Sequence, residues 1–166
     1  MIILGIDPGL AIVGYGVVEY KASRFRTLQY GAILTPAKTK VEDRLVQIGR
    51  EMDQVIATYH PEEMAIEELF FGNNRTTGIA VAEARGVILE HARSAGVSIY
   101  EYTPAQVKQA VVGYGKAEKK QVIYMVRRIL GVGEGLKLDD TADALAIAIC
   151  HAHTSGSSLR SLYNLK

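Results

Sequence analysis

The sequence predicts an α/β fold on a mixed sheet, with three antiparallel strands first and parallel strands after them. The opening third alternates β-rich runs with short turns, and short connections force neighbouring strands to run antiparallel. From residue 41 onward, helical stretches alternate with strand runs, the pattern of right-handed strand–helix–strand crossovers. A length of 166 residues, 48% apolar and 22% charged, suits one globular domain with a sizeable core.

Each element follows from local chemistry. Ile2–Asp7 is a short, nearly all-apolar run closed by the turn signal Pro8-Gly9. Ile12–Tyr20 is rich in β-branched and aromatic residues, and its Gly14 and Gly16 invite the close approach of another backbone. Lys21-Ala22-Ser23 turns the chain into a third strand, Phe25–Leu34. Val41, Leu45, Ile48, Met52, Val55 and Ile56 recur at spacings that predict a helix with one apolar face. Thr39 and Glu42 form a candidate capping box before it, and Pro61 bounds its end. Met64–Phe71 reads as a fourth strand, 77–94 as a helix stopped at Gly96, and Val97–Tyr102 as a fifth strand. Thr103-Pro104-Ala105-Gln106 supplies an N-cap, a proline at the first helical position and a glutamine at the third. The short helix so opened runs to Val112, where Gly113 and Gly115 break it. Glu118–Leu130 is a helix stopped by Gly131, and a last helix runs from Asp139 or Asp140 to His153. The reading is a single domain over 1–153, with 154–166 as a frayed tail.

Several function classes fall away. The longest uninterrupted apolar run, Ala144–Cys150, is seven residues, against the ~20 of a membrane span. The N-terminus lacks a basic segment and meets Asp7 at once, unlike a secretion signal. One cysteine, Cys150, permits no internal disulfide, and four histidines are thin material for a metal site. A cytoplasmic location fits. Cys150 reads as a small buried hydrophobe, and His151 and His153 as the end of a core helix.

Net charge is only +1, but its distribution is uneven. Residues 1–107 hold ten basic and thirteen acidic side chains; residues 108–137 hold seven basic and two acidic. Lys108, Lys116, Lys119 and Lys120 fall on or just before the expected helix starts, where amino groups and helix N-termini together favour phosphate. A solvated helical face would show the same composition. Arg75, in the polar Asn73-Asn74-Arg75 segment, is a further candidate phosphate contact.

Four carboxylates stand where acids are unusual. Asp7 ends an apolar strand, although it could serve the Pro-Gly turn. Glu67 and Glu68 sit inside a run that alternates faces, so at least one lies on a largely apolar face and needs a partner. Periodicity does not say which. Asp140 and Asp143, three apart on the last helix, point the same way, and Ile147 continues their face towards the core. Two strand carboxylates and this helix pair can converge. Oxygen-only ligands favour hard divalent ions, Mg²⁺ first and Mn²⁺ second. The chemistry that needs such a cluster is two-metal phosphodiester hydrolysis.

The blocks Ile3-Leu-Gly-Ile-Asp-Pro-Gly9, Gly14-Tyr-Gly16, Ala65-Ile-Glu67 with Phe70, Gln106-Val-Lys-Gln109, Val111-Val-Gly113, Ala117-Glu-Lys119 and Asp140-Thr-Ala-Asp-Ala-Leu-Ala-Ile-Ala148 resemble the RuvC family. These are bacterial Holliday junction resolvases of the ribonuclease H-like superfamily, and the match covers residues 2 to about 153. The resemblance implies a five-stranded mixed sheet flanked by helices. It implies catalytic, metal-binding Asp7, Glu67, Asp140 and Asp143 with two Mg²⁺, and thereby selects Glu67 over Glu68. Asp139 has no counterpart in the pattern. A homodimer that nicks two strands of like polarity across a four-way junction is implied as well. So are the branch-migration partners RuvA and RuvB, a Phe70 set against unstacked junction bases, and DNA-contacting Lys108 and Lys119. Three rivals are weaker. An actin-like kinase needs two such domains, and a non-catalytic module would have lost a carboxylate; another ribonuclease H-like nuclease, acting on RNA–DNA hybrid or a different branched DNA, would carry the same acids, because the fold hosts many substrates.

Overall fold

Five strands form one sheet in the order β3-β2-β1-β4-β5. The computed structural model describes residues 1–69, 75–133 and 139–155. β1 (Ile2–Asp7), β2 (Ile12–Lys21) and β3 (Arg24–Leu34) pair antiparallel, while β4 (Glu63–Glu67) and β5 (Ser98–Tyr102) add on parallel to β1. The hairpin turn between β2 and β3 places Ala22 and Ser23 at φ 49° and 60°, the left-handed geometry that matches the twist of the strands it joins.

Helices cover both faces. On one side lie α1 (Val41–Tyr59) and α2 (Arg75–Ser94), packed on Leu4, Ile6, Val13, Met64 and Ile66. On the other lie α3 (Pro104–Val112), α4 (Lys119–Leu130) and α5 (Asp139–Ser155), packed on Ile3, Val18, Ala65, Tyr100 and Tyr102. Strand alternation sorts the two sets: successive residues of β1 and β4 face opposite layers, so each strand feeds both cores.

Local signals explain most boundaries. Thr103 and Gln106 form the expected capping box, with side-chain bonds of 3.2 and 2.7 Å to each other's backbone N–H. Gly113 ends α3 at φ 98° and Gly131 ends α4 at φ 63°, both left-handed and inexpensive only for glycine.

Three expectations need correction. The N-cap of α1 is Lys40, without a side-chain cap bond, because Thr39 is drawn into a turn with Pro36. β4 ends at Glu67 and not at Phe71, because its neighbour β5 ends at Tyr102, where the α3 cap begins. The backbone N–H of Glu68 makes the last rung, to Tyr102 O at 2.9 Å, and the Glu68 side chain is exposed. α5 continues through Thr154 and Ser155, whose hydroxyls bond back to the carbonyls of Cys150 and Ala152. The rest of the expected tail lies outside the described residues.

Candidate active site

Asp7 and Glu67 are the last residues of two parallel neighbours, so they stand side by side at one end of the sheet. Both share strand parity with Ile3 and Ala65, which places them on the α5 side. α5 lies on that side at very close range. A Cβ on Gly14, the Cα partner of Asp7, would overlap the backbone carbonyl of Asp140, and a Cβ on Gly5 would overlap that of Ala144. Bare glycine backbone therefore lets the first turns of α5 bring Asp140 and Asp143 to the strand acids. The close approach expected at Gly14 and Gly16 is realised here, with Gly16 packed on Leu145.

The electrostatics record this convergence. Burial, then the Glu67, Asp143 and Asp140 charges, push the Asp7 carboxyl up to about 8. The two strand carboxyls are hydrogen-bonded to each other, and the burial and repulsion they share keep the pair from ionising together in the ordinary carboxylate range. Burial raises Glu67 as well, with Asp143 adding to it; the Asp7 hydrogen bond and the Lys119 and Lys108 charges oppose. Burial raises Asp143 too, against the pull of Lys119.

Lys119, the first residue of α4, is the counter-charge. Its Nζ lies 2.9 Å from Asp143 Oδ2 and 3.5 Å from Asp139 Oδ2. Partial burial works against its charge, but the two carboxylates outweigh this and hold the ammonium above the ordinary lysine range. Asp139, which has no counterpart in the family pattern, is the outer partner of this lysine. Glu67, Lys108, Lys119 and Asp143 line an open cleft whose apolar wall includes Val107, Val122 and Ile147.

The other candidate residues are placed differently. Lys108 lies in the second turn of α3, not at its start, and still reaches the cleft. Lys116 is exposed, and Lys120 pairs with Glu118 at 2.8 Å; neither lines the cleft. Phe70 and the side chain of Arg75 lie outside the described residues. Tyr114, between two glycines, is 46% exposed and donates to Gln121 Oε1.

Among the described residues, no group of three or more Asp, Glu, His or Cys side chains is already set at the distances that hold a metal ion. The Lys119 ammonium offsets part of the carboxylate charge. An all-oxygen donor set under such mutual repulsion fits a hard divalent cation, which supplies the positive charge the acids lack.

A second polar cluster escaped the sequence reading. Glu63, at the other end of β4, is buried against His151 of α5. Its signal was present in the spacings: Glu63 shares a strand face with Glu67, and His151 lies two turns below Asp143.

Known proteins agree with this architecture. Residues 3–151 match the family described as Crossover junction endodeoxyribonuclease RuvC. The protein of that name from Alkaliphilus metalliredigens is 52% identical over all of both chains. That from Heliobacterium modesticaldum is 56% identical over 93% of this chain and 95% of its own. The structure of T. thermophilus RuvC in complex with Holliday junction substrate superposes with a TM-score of 0.90, at 38% identity, covering 99% of each chain. The sheet order, the helices on both faces and full-length similarity at this level lead to one conclusion: the chain belongs to the RuvC family of crossover junction endodeoxyribonucleases.

Proposed function

We propose that this chain resolves Holliday junctions at the cleft between β1, β4 and α5, with Asp7, Glu67, Asp140 and Asp143 holding two Mg²⁺, for which Mn²⁺ substitutes. The observation that carries the reading is the convergence of four acids from three elements on a spot where Asp7 is pushed up to about 8. A fold stabilised by its core alone has no use for such repulsion. When bound, the two ions acidify the attacking water and stabilise the leaving 3′ oxygen.

The chain's own residues supply the rest. The proton held between Asp7 and Glu67 leaves before the pair can bind metal, which frees both carboxylates as ligands. Lys119 and Lys108 flank the carboxylates and hold the phosphate whose ester is cut, Lys119 exchanging Asp143 for the phosphate oxygens. Lys116 and Lys120 extend the basic face along the duplex arms, Arg75 is a further phosphate contact, and Phe70 meets the unstacked bases. The described residues form one sheet with both faces covered, which supports a single domain over 1–153. The chain works as a homodimer, whose two-fold axis matches the pseudo-two-fold symmetry of a four-way junction, so the two sites nick strands of like polarity. RuvA and RuvB are its branch-migration partners. No described helix is long and apolar enough to cross a membrane, which is compatible with work on DNA in the cytoplasm.

A synthetic mobile four-way junction, end-labelled on each strand in turn, tests this. Paired nicks at symmetric positions, seen with Mg²⁺ and absent with EDTA, are expected. Unpaired nicks in linear duplex or in RNA–DNA hybrid would instead assign the site to another substrate.

A further inference from the structure

The face of β4 that carries Glu67 carries Glu63 four residues earlier, and the stripe of α5 that carries Asp143 continues through Ile147 to His151. The two stripes run past each other in opposite directions. At one end Glu67 and Asp143 line the cleft together. At the other, His151 Nε2 meets Glu63 Oε2 at 2.6 Å. Four strand residues span ~13 Å and eight helix residues ~12 Å, so the two contacts are commensurate along strand and helix.

The lower contact is built from buried groups. His151 is 0% exposed, Tyr102 1% and Glu63 7%. His151 Nδ1 meets the Tyr102 hydroxyl at 2.7 Å, and Tyr102 is the Cα partner of Glu67 on the neighbouring strand. His151 therefore ties α5 to both strands that frame the Glu67 end of the sheet. In the seam between, Gly5 lies under Ala144 and Ala148, which brings helix and strand into close contact. Directional hydrogen bonds between buried groups add to that packing a constraint on the axial position.

We propose that His151, held between Glu63 and Tyr102, is a positioning residue for the four-carboxylate cluster. It fixes the setting of α5 on β4, and so the separation of Asp140 and Asp143 from Asp7 and Glu67. The proposal rests on the reading of that cluster as a divalent-metal site. Removing a group hydrogen-bonded directly to a metal ligand lowers metal affinity or activity by about 10–100-fold, and His151, which acts through the helix, is expected at the low end of that range.

The test compares His151→Leu, Tyr102→Phe and Glu63→Gln with the unaltered full chain. The readouts are the Mg²⁺ dependence of Tm, junction binding in EDTA, and kcat against KM. Expected for His151→Leu is a shift of the Mg²⁺ midpoint to roughly tenfold higher concentration and a comparable fall in kcat, with junction affinity unchanged. Tyr102→Phe, which removes one hydroxyl and keeps the shape, shifts the midpoint the same way by less. It carries the test if His151→Leu does not fold. Glu63→Gln, which retains an acceptor for His151, stays closest to the unaltered chain. A lowered Tm with unchanged Mg²⁺ midpoint and kcat in both His151→Leu and Tyr102→Phe overturns the proposal, because the network is then structural only. If Mg²⁺ does not raise the Tm of the unaltered chain, the metal-site reading fails, and the positioning role falls with it.

Discussion

Asp7 loses hydration on folding and gains three carboxylate neighbours, so two unfavourable terms act on one group. Replacing its carboxyl by an amide removes both and keeps the shape. Asp7→Asn is expected to abolish junction cleavage, to leave junction binding in EDTA intact, and to raise the metal-free Tm at pH 8 by a few degrees. Loss of binding in a band-shift assay would show that the acid supports the fold and not the chemistry. Lys119 carries the complementary charge. Lys119→Ala is expected to weaken junction binding and to lower the slope of log K against log salt by about 1, as loss of one phosphate contact requires. An unaltered slope in a salt titration would remove this lysine from the DNA interface.

At the scale of elements, two features stand out. The β2–β3 turn holds Ser23 at φ 60°, which a residue with a Cβ adopts at a penalty. Ser23→Gly is expected to stabilise the fold by about 1 kcal/mol in urea denaturation, with activity unchanged. The seat of α5 is the opposite case. Gly14 leaves no room for a Cβ beneath the Asp140 carbonyl, so Gly14→Ala lifts the helix. The expected loss is about 1–3 kcal/mol. Mg²⁺-dependent stabilisation should fall further than that figure alone implies, because the first two turns of α5 carry two of the four acids. Calorimetry with and without Mg²⁺ separates the two effects.

For the whole molecule, the raised carboxylates dictate how stability follows pH. The folded-state value of Asp7 lies about 8, against an ordinary 3.8. The folded chain therefore binds more protons than the unfolded one across that interval, and stability falls as pH rises from about 4 to about 8. Glu67 and Asp143, also raised, act in the same direction. Lys119, raised above 10.5, loses its contribution only in strong alkali. Metal-free Tm is expected to decline over this interval, and saturating Mg²⁺ to flatten the decline by replacing the protons. A metal-free Tm constant from pH 5 to 8 would mean that the acids are farther apart in solution than the structure places them.

Most of the fold was legible in the sequence because its signals are local. The first three strand runs, the Thr103–Gln106 cap and the terminal glycines act within a few residues of themselves, and the structure carries each of them. The β4 boundary was not local: Met64–Phe71 has strand composition throughout, but a strand ends where its neighbours stop pairing, and β5 stops at Tyr102. The acids were legible one by one, as carboxylates in apolar company, and Asp140 and Asp143 as a pair on one helix face. The choice between Glu67 and Glu68 came from the family pattern and not from periodicity. Tertiary structure decided what crosses between elements: the proton shared by Asp7 and Glu67, the Lys119 bridge to Asp139 and Asp143, and the buried bond from Glu63 to His151. Charge interactions and hydrogen bonds depend on distances of a few ångströms between residues up to 136 positions apart in the chain, from Asp7 to Asp143. A sequence encodes those distances only through the packing that brings strand and helix together, here through a glycine seam under α5.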